Sequence, residues 1–323
     1  MRRLNRFRPA FVLIASLAAA FPAVAAADGP RLLSEDYVQP GEVLTVTVPS
    51  STARDGRVSL VDASNRTVSQ AEAFPWTSPS GERAQVALLG VPPTAEPGPY
   101  RLSFAAVDGP ASLYLEKRMQ VSPRDFEEEV IPLDAEMGSL YQDDSERKQE
   151  EARHLWAVLA AFDPSAQWHS GPLALPFEDP VPTAHYGDRR RYRMPDGTES
   201  TSIHFGGDLW AAPGTPIHAA GAGRVVLARE RMVTGNTVVL EHMPGVFTLY
   251  YHMDSLAVSE GDMVDTGDVL GYLGSTGLVT GPHLHWEMRA GTVPVDAMAY
   301  LDRPLLDTTA LAGMMDGTLR EGR

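Results

Sequence analysis

Residues 31–122 alternate apolar and polar positions in short runs that are separated by turns. Residues 43–48 read Val-Leu-Thr-Val-Thr-Val, and further runs of this kind follow at 57–61, 84–89, 100–104 and 113–115. A period of two is typical of strands with one buried face. Several short strands at such spacing predict an immunoglobulin-like β-sandwich over residues 28–123. Because it carries no catalytic constellation, we expect it to be a spacer or positioning module.

The pattern changes after Pro123. An acidic stretch containing Glu127 to Glu129 precedes a helical periodicity that runs from about Asp144 to Phe162. The apolar residues predicted to share one face of this helix are Leu155, Trp156, Val158, Leu159 and Phe162. Asp144 or Ser145 can cap its start, and Asp163-Pro164 ends it. Residues 124–169 are therefore predicted to be an acidic linker and a connecting helix.

Short strand-like runs return in residues 170–300. They lie at 224–228, 237–241, 247–251 and 269–273, and glycines mark the turns between them. This pattern predicts an all-β domain. The last segment, 301–323, gives no clear signal and is treated as a C-terminal tail. The predicted fold class is therefore mainly β, with a sandwich, a helix and a second β domain.

Residues 1–27 have the pattern of a secretory signal peptide. Arginines at the start precede an apolar run, and Ala23-Val24-Ala25 offers a small-x-small cleavage site. An uncleaved membrane anchor is the alternative, but the core is rich in alanine and interrupted by Pro22. No other run is long and apolar enough to span a bilayer. The sequence predicts an exported protein with no integral membrane span in its mature form.

Composition narrows the chemistry. Cysteine is absent, which excludes disulfides and cysteine-ligated zinc. The formal net charge is −15, and removal of the arginine-bearing signal would make it more negative. A chain with this charge should not bind nucleic acid or an anionic membrane through its overall field.

The segment Gly281–Glu287 contains two histidines, His283 and His285, in a run that reads as a strand. Residues i and i+2 of a strand project to the same face, so the two imidazoles lie side by side. Upstream, His204 and Asp208 flank a Gly-Gly pair that argues against a helix. Two imidazoles and one carboxylate make a three-ligand set, and catalytic zinc sites typically keep a fourth position open. His252 then remains nearby as a histidine that is not a ligand.

Several ordered motifs resemble the LytM/lysostaphin-type zinc peptidases over about residues 170–298. They are Tyr186–Arg190, His204-x-Gly206-x-Asp208, Tyr250-Tyr251-His252, Gly267–Gly271, Gly274–Gly277 and Gly281–Glu287. The resemblance implies an antiparallel sheet with a groove, related in shape to barrel-sandwich hybrids. It implies one zinc ion per chain, with His204, Asp208 and His285 as ligands and His252 and His283 as catalytic residues.

By the same resemblance, the protein is expected to be a zinc metalloendopeptidase that cleaves peptide bonds in peptidoglycan. The periplasm or cell envelope of a Gram-negative bacterium is the expected location. Peptidoglycan peptides are the expected partners, with an envelope activator or inhibitor protein as a further candidate. Gly207 and Glu241 depart from the usual family pattern, but neither belongs to the implied ligand set. His218 and His242 are interpreted as structural.

Three other interpretations are compatible with parts of the sequence. A non-catalytic regulator of cell-wall hydrolases is disfavoured because all five implied site positions are filled. A biotinyl or lipoyl carrier domain would need a lysine, yet the lysines of this chain, Lys117 and Lys148, lie upstream of the similar turns. A zinc peptidase acting on proteins stays open, because fold and site do not fix the substrate.

Overall fold

The structure is built mainly from β-strands, as the sequence predicts. It is a computed structural model that describes residues 30–49, 55–108, 111–316 and 318. The predicted signal segment, residues 1–27, lies outside the described residues.

The first part of the chain forms two sheets. Its strands are β1 (Tyr37–Val38), β2 (Val43–Pro49), β3 (Gly56–Val61), β4 (Thr67–Glu72), β5 (Phe74–Thr77), β6 (Arg83–Gly90), β7 (Gly98–Asp108) and β8 (Ala111–Val121). One sheet has the order β1-β8-β7-β3-β4 and the other has the order β2-β6-β5. Both sheets contribute to a common apolar core, for example through Val46, Leu60 and Leu102. The immunoglobulin-like assignment and its boundaries stay a prediction.

The rest of the chain adds the following elements. They are β9 (Glu128–Pro132), α1 (Ala135–Gln142), α2 (Glu146–Ala160), β10 (Val181–Ala184), β11 (Arg189–Arg193), β12 (Glu199–Ile203), β13 (Gly206–Trp210), β14 (Pro216–His218), β15 (Gly223–Arg231), β16 (Gly235–Met243), β17 (Val246–Leu256), β18 (Met263–Val264), β19 (Val269–Leu273), β20 (Leu284–Ala290), β21 (Val293–Val295), a 3₁₀ turn (Ala297–Tyr300) and α3 (Thr308–Met315).

A large antiparallel sheet organises this second part. Its main path is β10-β13-β20-β17-β16-β15-β18, and β19 and β21 pair with β17 and β20. Leu284, Trp286 and Tyr250 lie on one face, within the main apolar core. Tyr251 and His285 lie opposite each other on the other face, because side chains alternate along a strand. The sheet therefore buries one face in the core, and its opposite face, the His285 face, carries His285 together with the apolar Leu249 and Tyr251.

The N-terminal sheets have an apolar core of their own and are also packed against the main core. Strand β6 is buried along both faces: Leu89 faces the sandwich core, whereas Val86 and Leu88 join the main core. The Val43 N–H also donates a hydrogen bond of 2.8 Å to the Tyr300 hydroxyl. These contacts agree better with a positioning module than with a simple spacer.

The segment predicted to be a linker is more ordered than the sequence indicates. Strand β9 pairs in parallel with β11, and β11 pairs with β12 to complete a small sheet. Helix α2 is capped by Ser145, whose side chain accepts a hydrogen bond from Lys148 N–H, so one of the two predicted caps is confirmed. Trp156 is 54% exposed, however, so its predicted place on the buried face is wrong. The helix packs through Leu155, Val158 and Leu159 against apolar residues on the His285 face of the large sheet, among them Val239 and Phe247.

The segment treated as a tail is part of the fold. Leu305, Leu306 and Leu311 are buried in the main core, and Asp307 caps α3. A short apolar helix has too little periodicity to be recognised from sequence. Within the part of the chain that the structure describes, no helix combines the length and apolarity needed to cross a membrane.

Candidate metal centre

Strand register brings the predicted ligands together on the His285 face of the large sheet. His285 of β20 lies opposite Asp208 of β13 on one side and opposite Tyr251 of β17 on the other. His204 lies just before β13, and its ring contacts both Asp208 and His285. These relations come from pairing between strands that are distant in sequence, and the three residues His204, Asp208 and His285 form a group able to hold a metal ion.

Backbone and side-chain acceptors orient the two imidazoles. His204 Nδ1 is 2.8 Å from the carbonyl oxygen of His185, so Nδ1 carries the proton and Nε2 has the lone pair. His285 Nε2 is 3.0 Å from Glu287 Oε1, so in the neutral ring Nδ1 has the lone pair. The Tyr251 ring stacks on His285 at 5.3 Å with an interplanar angle of 5°. Both lone pairs are thereby directed at one point.

Three acceptor atoms converge at that point. His204 Nε2 is 2.8 Å from His285 Nδ1 and 3.0 Å from Asp208 Oδ1, and His285 Nδ1 is 2.7 Å from the same oxygen. The three residues are only 3%, 7% and 8% exposed. Buried acceptors this close repel one another unless a cation or a proton lies between them. Two imidazole nitrogens and one carboxylate oxygen are a donor set that suits Zn²⁺, so the residues present fit the metal that the sequence implies.

Charge in the centre follows from these contacts. Burial opposes ionisation of Asp208, but its hydrogen bonds to His204 and His285 outweigh burial and hold its pKa well below the usual range. Burial also opposes a charge on His285, yet the carboxylates of Asp208 and Glu287 raise its pKa to about 9. In the metal-free protein a proton on His285 therefore takes the place that a metal cation would fill.

Arg190 fixes the remaining carboxylate oxygen of Asp208. Its Nη2 donates to Asp208 Oδ2 at 2.6 Å, and its Nε lies 3.4 Å from Glu129 Oε2 of β9. Oδ1 is thus left for the metal, and the carboxylate plane is set. Arg190 belongs to the Tyr186–Arg190 motif, but nothing local in the sequence shows which carboxylate it meets.

We expect Arg190→Gln to lower metal affinity about 10- to 100-fold, because outer partners of metal ligands typically contribute that much. A competition titration against a chelating dye measures this affinity. Arg191→Gln is the matched control, since Arg191 is partly exposed and pairs with Glu128 at 2.8 Å. Equal affinity in the Arg190→Gln and Arg191→Gln proteins would show that Arg190 does not position Asp208.

His252 and His283 lie beside the centre, where the sequence places its two candidate catalytic residues. Their ring centroids are 5.1 Å apart, and His283 Nε2 is 3.6 Å from Asp208 Oδ1. His252 Nδ1 donates to the Thr276 carbonyl at 2.9 Å, and His283 Nδ1 donates to the Gly281 carbonyl at 2.8 Å. In both neutral rings the Nε2 lone pair is therefore free to act.

Local backbone geometry directs His252. It has φ of 62°, which is rare for a residue other than glycine, and it lies where the register between β16 and β17 shifts. Such a bulge turns a side chain away from its regular direction. Burial, followed by the charges of His285 and His283, lowers the pKa of His252 to about 3. The imidazole is therefore neutral at pH 7.

His218 and His242 lie away from the centre, in accord with their structural interpretation. His218 Nδ1 donates to the Gly267 carbonyl at 2.8 Å. His242 Nδ1 donates to the Ala222 carbonyl at 2.8 Å, and its Nε2 is 2.7 Å from Thr248 Oγ1. Burial lowers the pKa of His242 to about 4.

Acid should destabilise the fold through His242. Its pKa is about 4 in the folded state against 6.5 when unfolded, so between these values the unfolded chain binds the proton more readily. The free energy of unfolding should therefore fall as pH drops from 6.5 to 4, by on the order of 3 kcal/mol. Denaturant unfolding of metal-free wild-type and His242→Gln proteins at several pH values measures it. Parallel pH profiles for the two proteins would contradict the expectation.

Comparison with known proteins agrees with this geometry. Residues 202–297 match the model of peptidase family M23, within the region on which the sequence resemblance rests, and they confirm that resemblance. The chain is 39% identical over 116 residues to the Vibrio cholerae protein named Peptidoglycan DD-endopeptidase ShyB, covering 36% of this chain and 26% of that protein. It is 39% identical over 108 residues to the Neisseria meningitidis protein named DD-carboxypeptidase/endopeptidase Mpg, covering 33% and 25%. The chain spans about a quarter of the length of these curated relatives.

The overall fold also has a counterpart among solved structures. A crystal structure from Pseudomonas aeruginosa, assigned to peptidase M23, superposes with a TM-score of 0.52. The match covers 82% of this chain and 94% of that chain at 22% sequence identity. At that identity the likeness shows a shared fold, and it extends beyond the family-matched segment to the N-terminal sheets.

Proposed function

Since the chain carries a peptidase family M23 domain, we propose that the protein is an exported, zinc-dependent metalloendopeptidase that hydrolyses peptide bonds in peptidoglycan. The observation that carries this proposal is the convergence of His204, Asp208 and His285, with His252 and His283 beside them. The names of relatives such as Peptidoglycan DD-endopeptidase ShyB support peptidoglycan as the substrate.

One zinc ion per chain would be held by His204 Nε2, Asp208 Oδ1 and His285 Nδ1. When bound, zinc supplies Lewis-acid polarisation and makes water a stronger acid near neutral pH. Asp208 contributes a single negative charge against a divalent ion, so the site stays net cationic. Arg190 and Glu287 keep the ligands in place, because each contacts a ligand through the atom that does not face the metal.

His252 and His283 would share the proton chemistry. Either Nε2 can accept a proton as water attacks the peptide carbonyl, and the other ring can donate a hydrogen bond to the developing oxyanion when its own Nε2 already carries a proton. The low pKa of His252 keeps it neutral until the reaction begins. The two roles are not divided between the rings, because both have the same tautomer and both lie next to the centre.

The proposed location rests on residues 1–27, which have the pattern of a secretory signal. A cell-envelope site in a Gram-negative bacterium agrees with relatives from Vibrio and Neisseria. The proposed organisation is signal, β-sandwich, connecting segment 124–169, zinc peptidase domain 170–300 and C-terminal segment. Peptidoglycan peptides are the proposed partners, and an envelope protein that regulates the enzyme is a further one.

Substrate choice tests the proposal. Purified protein loaded with zinc is incubated in parallel with peptidoglycan and with an unfolded protein such as casein, and the products are identified by mass spectrometry. We expect peptide cross-links to be cut with the glycan chains intact. Cleavage of casein alone would assign the site to a protein peptidase. A protein that binds no zinc and cuts neither substrate would instead be a regulator of other hydrolases.

A further inference from the structure

The tip of the β15–β16 hairpin, residues 231–235, touches the candidate metal centre at two points. Arg231 lies beside the Tyr251 hydroxyl, whose pKa is raised by burial and by Glu287 and is lowered in part by Arg231. The Tyr251 ring in turn stacks on His285. From the same tip, the Thr234 carbonyl accepts the N–H of His252 at 2.8 Å. Anything bound at this tip is therefore a neighbour of the reacting groups.

Arg231 is a buried cation without a carboxylate. The residue is 7% exposed, and the ion pairs found among the described residues do not include it, although the Tyr251 hydroxyl is a hydrogen-bond partner of its guanidinium. Nη1 donates to Thr234 Oγ1 at 3.0 Å, Nη2 donates to the Glu151 carbonyl at 3.3 Å, and Nε has no partner. Burial of an unpaired charge is unfavourable, so a fold rarely keeps one without a function. A guanidinium fork suits a carboxylate in particular.

A carboxylate already occupies the adjacent donor. Glu151 of α2 accepts the Met232 N–H through Oε2 at 2.7 Å, and its other oxygen pairs with Arg147 at 2.8 Å. The Met232 N–H and the Arg231 guanidinium thus face α2 side by side. The Met232 N–H binds the Glu151 side chain, and the Arg231 guanidinium binds the Glu151 backbone carbonyl.

We propose that Arg231 and the Met232 N–H form a subsite for a free carboxylate of the substrate peptide, and that Glu151 of α2 covers this subsite in the substrate-free protein, with its carboxylate on the Met232 N–H and its backbone carbonyl on Arg231. The proposal rests on the peptidase function proposed above and adds a specificity-determining residue to it. Peptidoglycan stem peptides carry free carboxylates, and the chain as a whole is strongly acidic with a net charge of −15. The negative net charge of the protein repels a substrate carboxylate at long range. The Arg231 cation next to the centre can attract that carboxylate at short range.

The test uses two substrates that differ only in charge. They are a cross-linked peptidoglycan peptide dimer and the same dimer with its free carboxylates amidated. The full-length protein should show the lower KM for the free acid. Arg231→Gln should raise KM for the free acid about tenfold and leave KM for the amidated dimer unchanged, because only the free acid loses a charge-assisted hydrogen bond. Arg231→Lys should recover part of the preference.

The control for Arg231 is Arg229→Gln. Arg229 lies on the same strand but is half exposed and pairs with Glu260 at 2.6 Å, so both KM values should stay at the wild-type level. Thermal unfolding of each variant establishes that it folds. Calorimetric titration of the two dimers into the metal-free protein measures binding independently of cleavage.

The role of Glu151 in covering the subsite is tested by Glu151→Gln, which removes the charge of the side chain and keeps its shape. We expect KM for the free acid to fall several-fold, because the substrate no longer competes with a carboxylate. Glu150→Gln is the control, since Glu150 is exposed and pairs with Arg153 at 2.7 Å. Equal losses on both dimers in Arg231→Gln, or equal calorimetric affinities for the two dimers, would overturn the subsite. Preferential binding of the free acid without cleavage would keep the subsite and reject the peptidase function.

Discussion

Replacement of His285 by alanine is expected to remove bound metal and peptidase activity together. His285 supplies one of the three converging donor atoms, and it is the residue that pairs with Asp208 across the strands. Without it, two ligands remain, which is one fewer than catalytic zinc sites typically have. The metal content of the purified protein, measured by mass spectrometry, should fall from about one per chain to a trace, with hydrolysis lost in parallel.

His218→Ala is the control for this loss. His218 is a partly buried histidine of the same sheet that hydrogen-bonds only a backbone carbonyl in the contacts described. The His218→Ala protein should keep both metal and activity, whereas retention of a full complement of metal by the His285→Ala protein would reject the proposed ligand set.

The second large effect is expected at His252, where activity should fall while metal is kept. Its Nδ1 is engaged by the Thr276 carbonyl, so Nε2 is the atom available for proton transfer. General acid–base groups contribute roughly 10²- to 10⁴-fold to rate, and we expect a loss of kcat in that range. The ligand atoms of His204, Asp208 and His285 do not depend on His252, so most of the metal should remain.

The choice of substitution matters because His252 has φ of 62°. Asparagine tolerates this left-handed conformation better than alanine does. His252→Asn therefore separates loss of the imidazole from strain in the bulge, and its thermal unfolding should stay close to that of the wild type. If the His252→Asn protein loses its metal along with its activity, then His252 is a ligand or supports one, and the assignment of roles is wrong.

The sequence predicts most of the strands because their signal is local. Alternation over residues 43–48 and the glycines around the later strands give elements that the structure confirms as β2 and β15 to β17. The spacing of His283 and His285 likewise predicts their common direction. His204 and Asp208 are brought to the same centre as His285 by strand register. The ligand roles themselves stay a prediction until metal is measured.

The parts that the sequence did not predict depend on contacts between distant segments. The run Glu127–Glu129 reads as a linker, yet it lies along the three arginines 189–191 when β9 joins β11 in parallel. The glutamates of β9 complement the arginines of β11 once the pairing of the two strands is known. From sequence alone, many other acidic runs would match these arginines equally well. The role of Arg190 cannot be predicted from sequence for the same reason, because it depends on a contact with Asp208 on another strand. Trp156 fits the helical face by spacing, but α2 buries a narrower stripe than the sequence indicates.

The most direct test of the account is digestion of purified peptidoglycan by the protein, before and after removal of metal by a chelator and after zinc is restored. We expect cross-linked peptides to disappear only when zinc is present, with the glycan chains intact and with about one zinc per chain at full activity. Digestion that continues unchanged in the metal-free protein would contradict the central claim that His204, Asp208 and His285 form a catalytic metal centre.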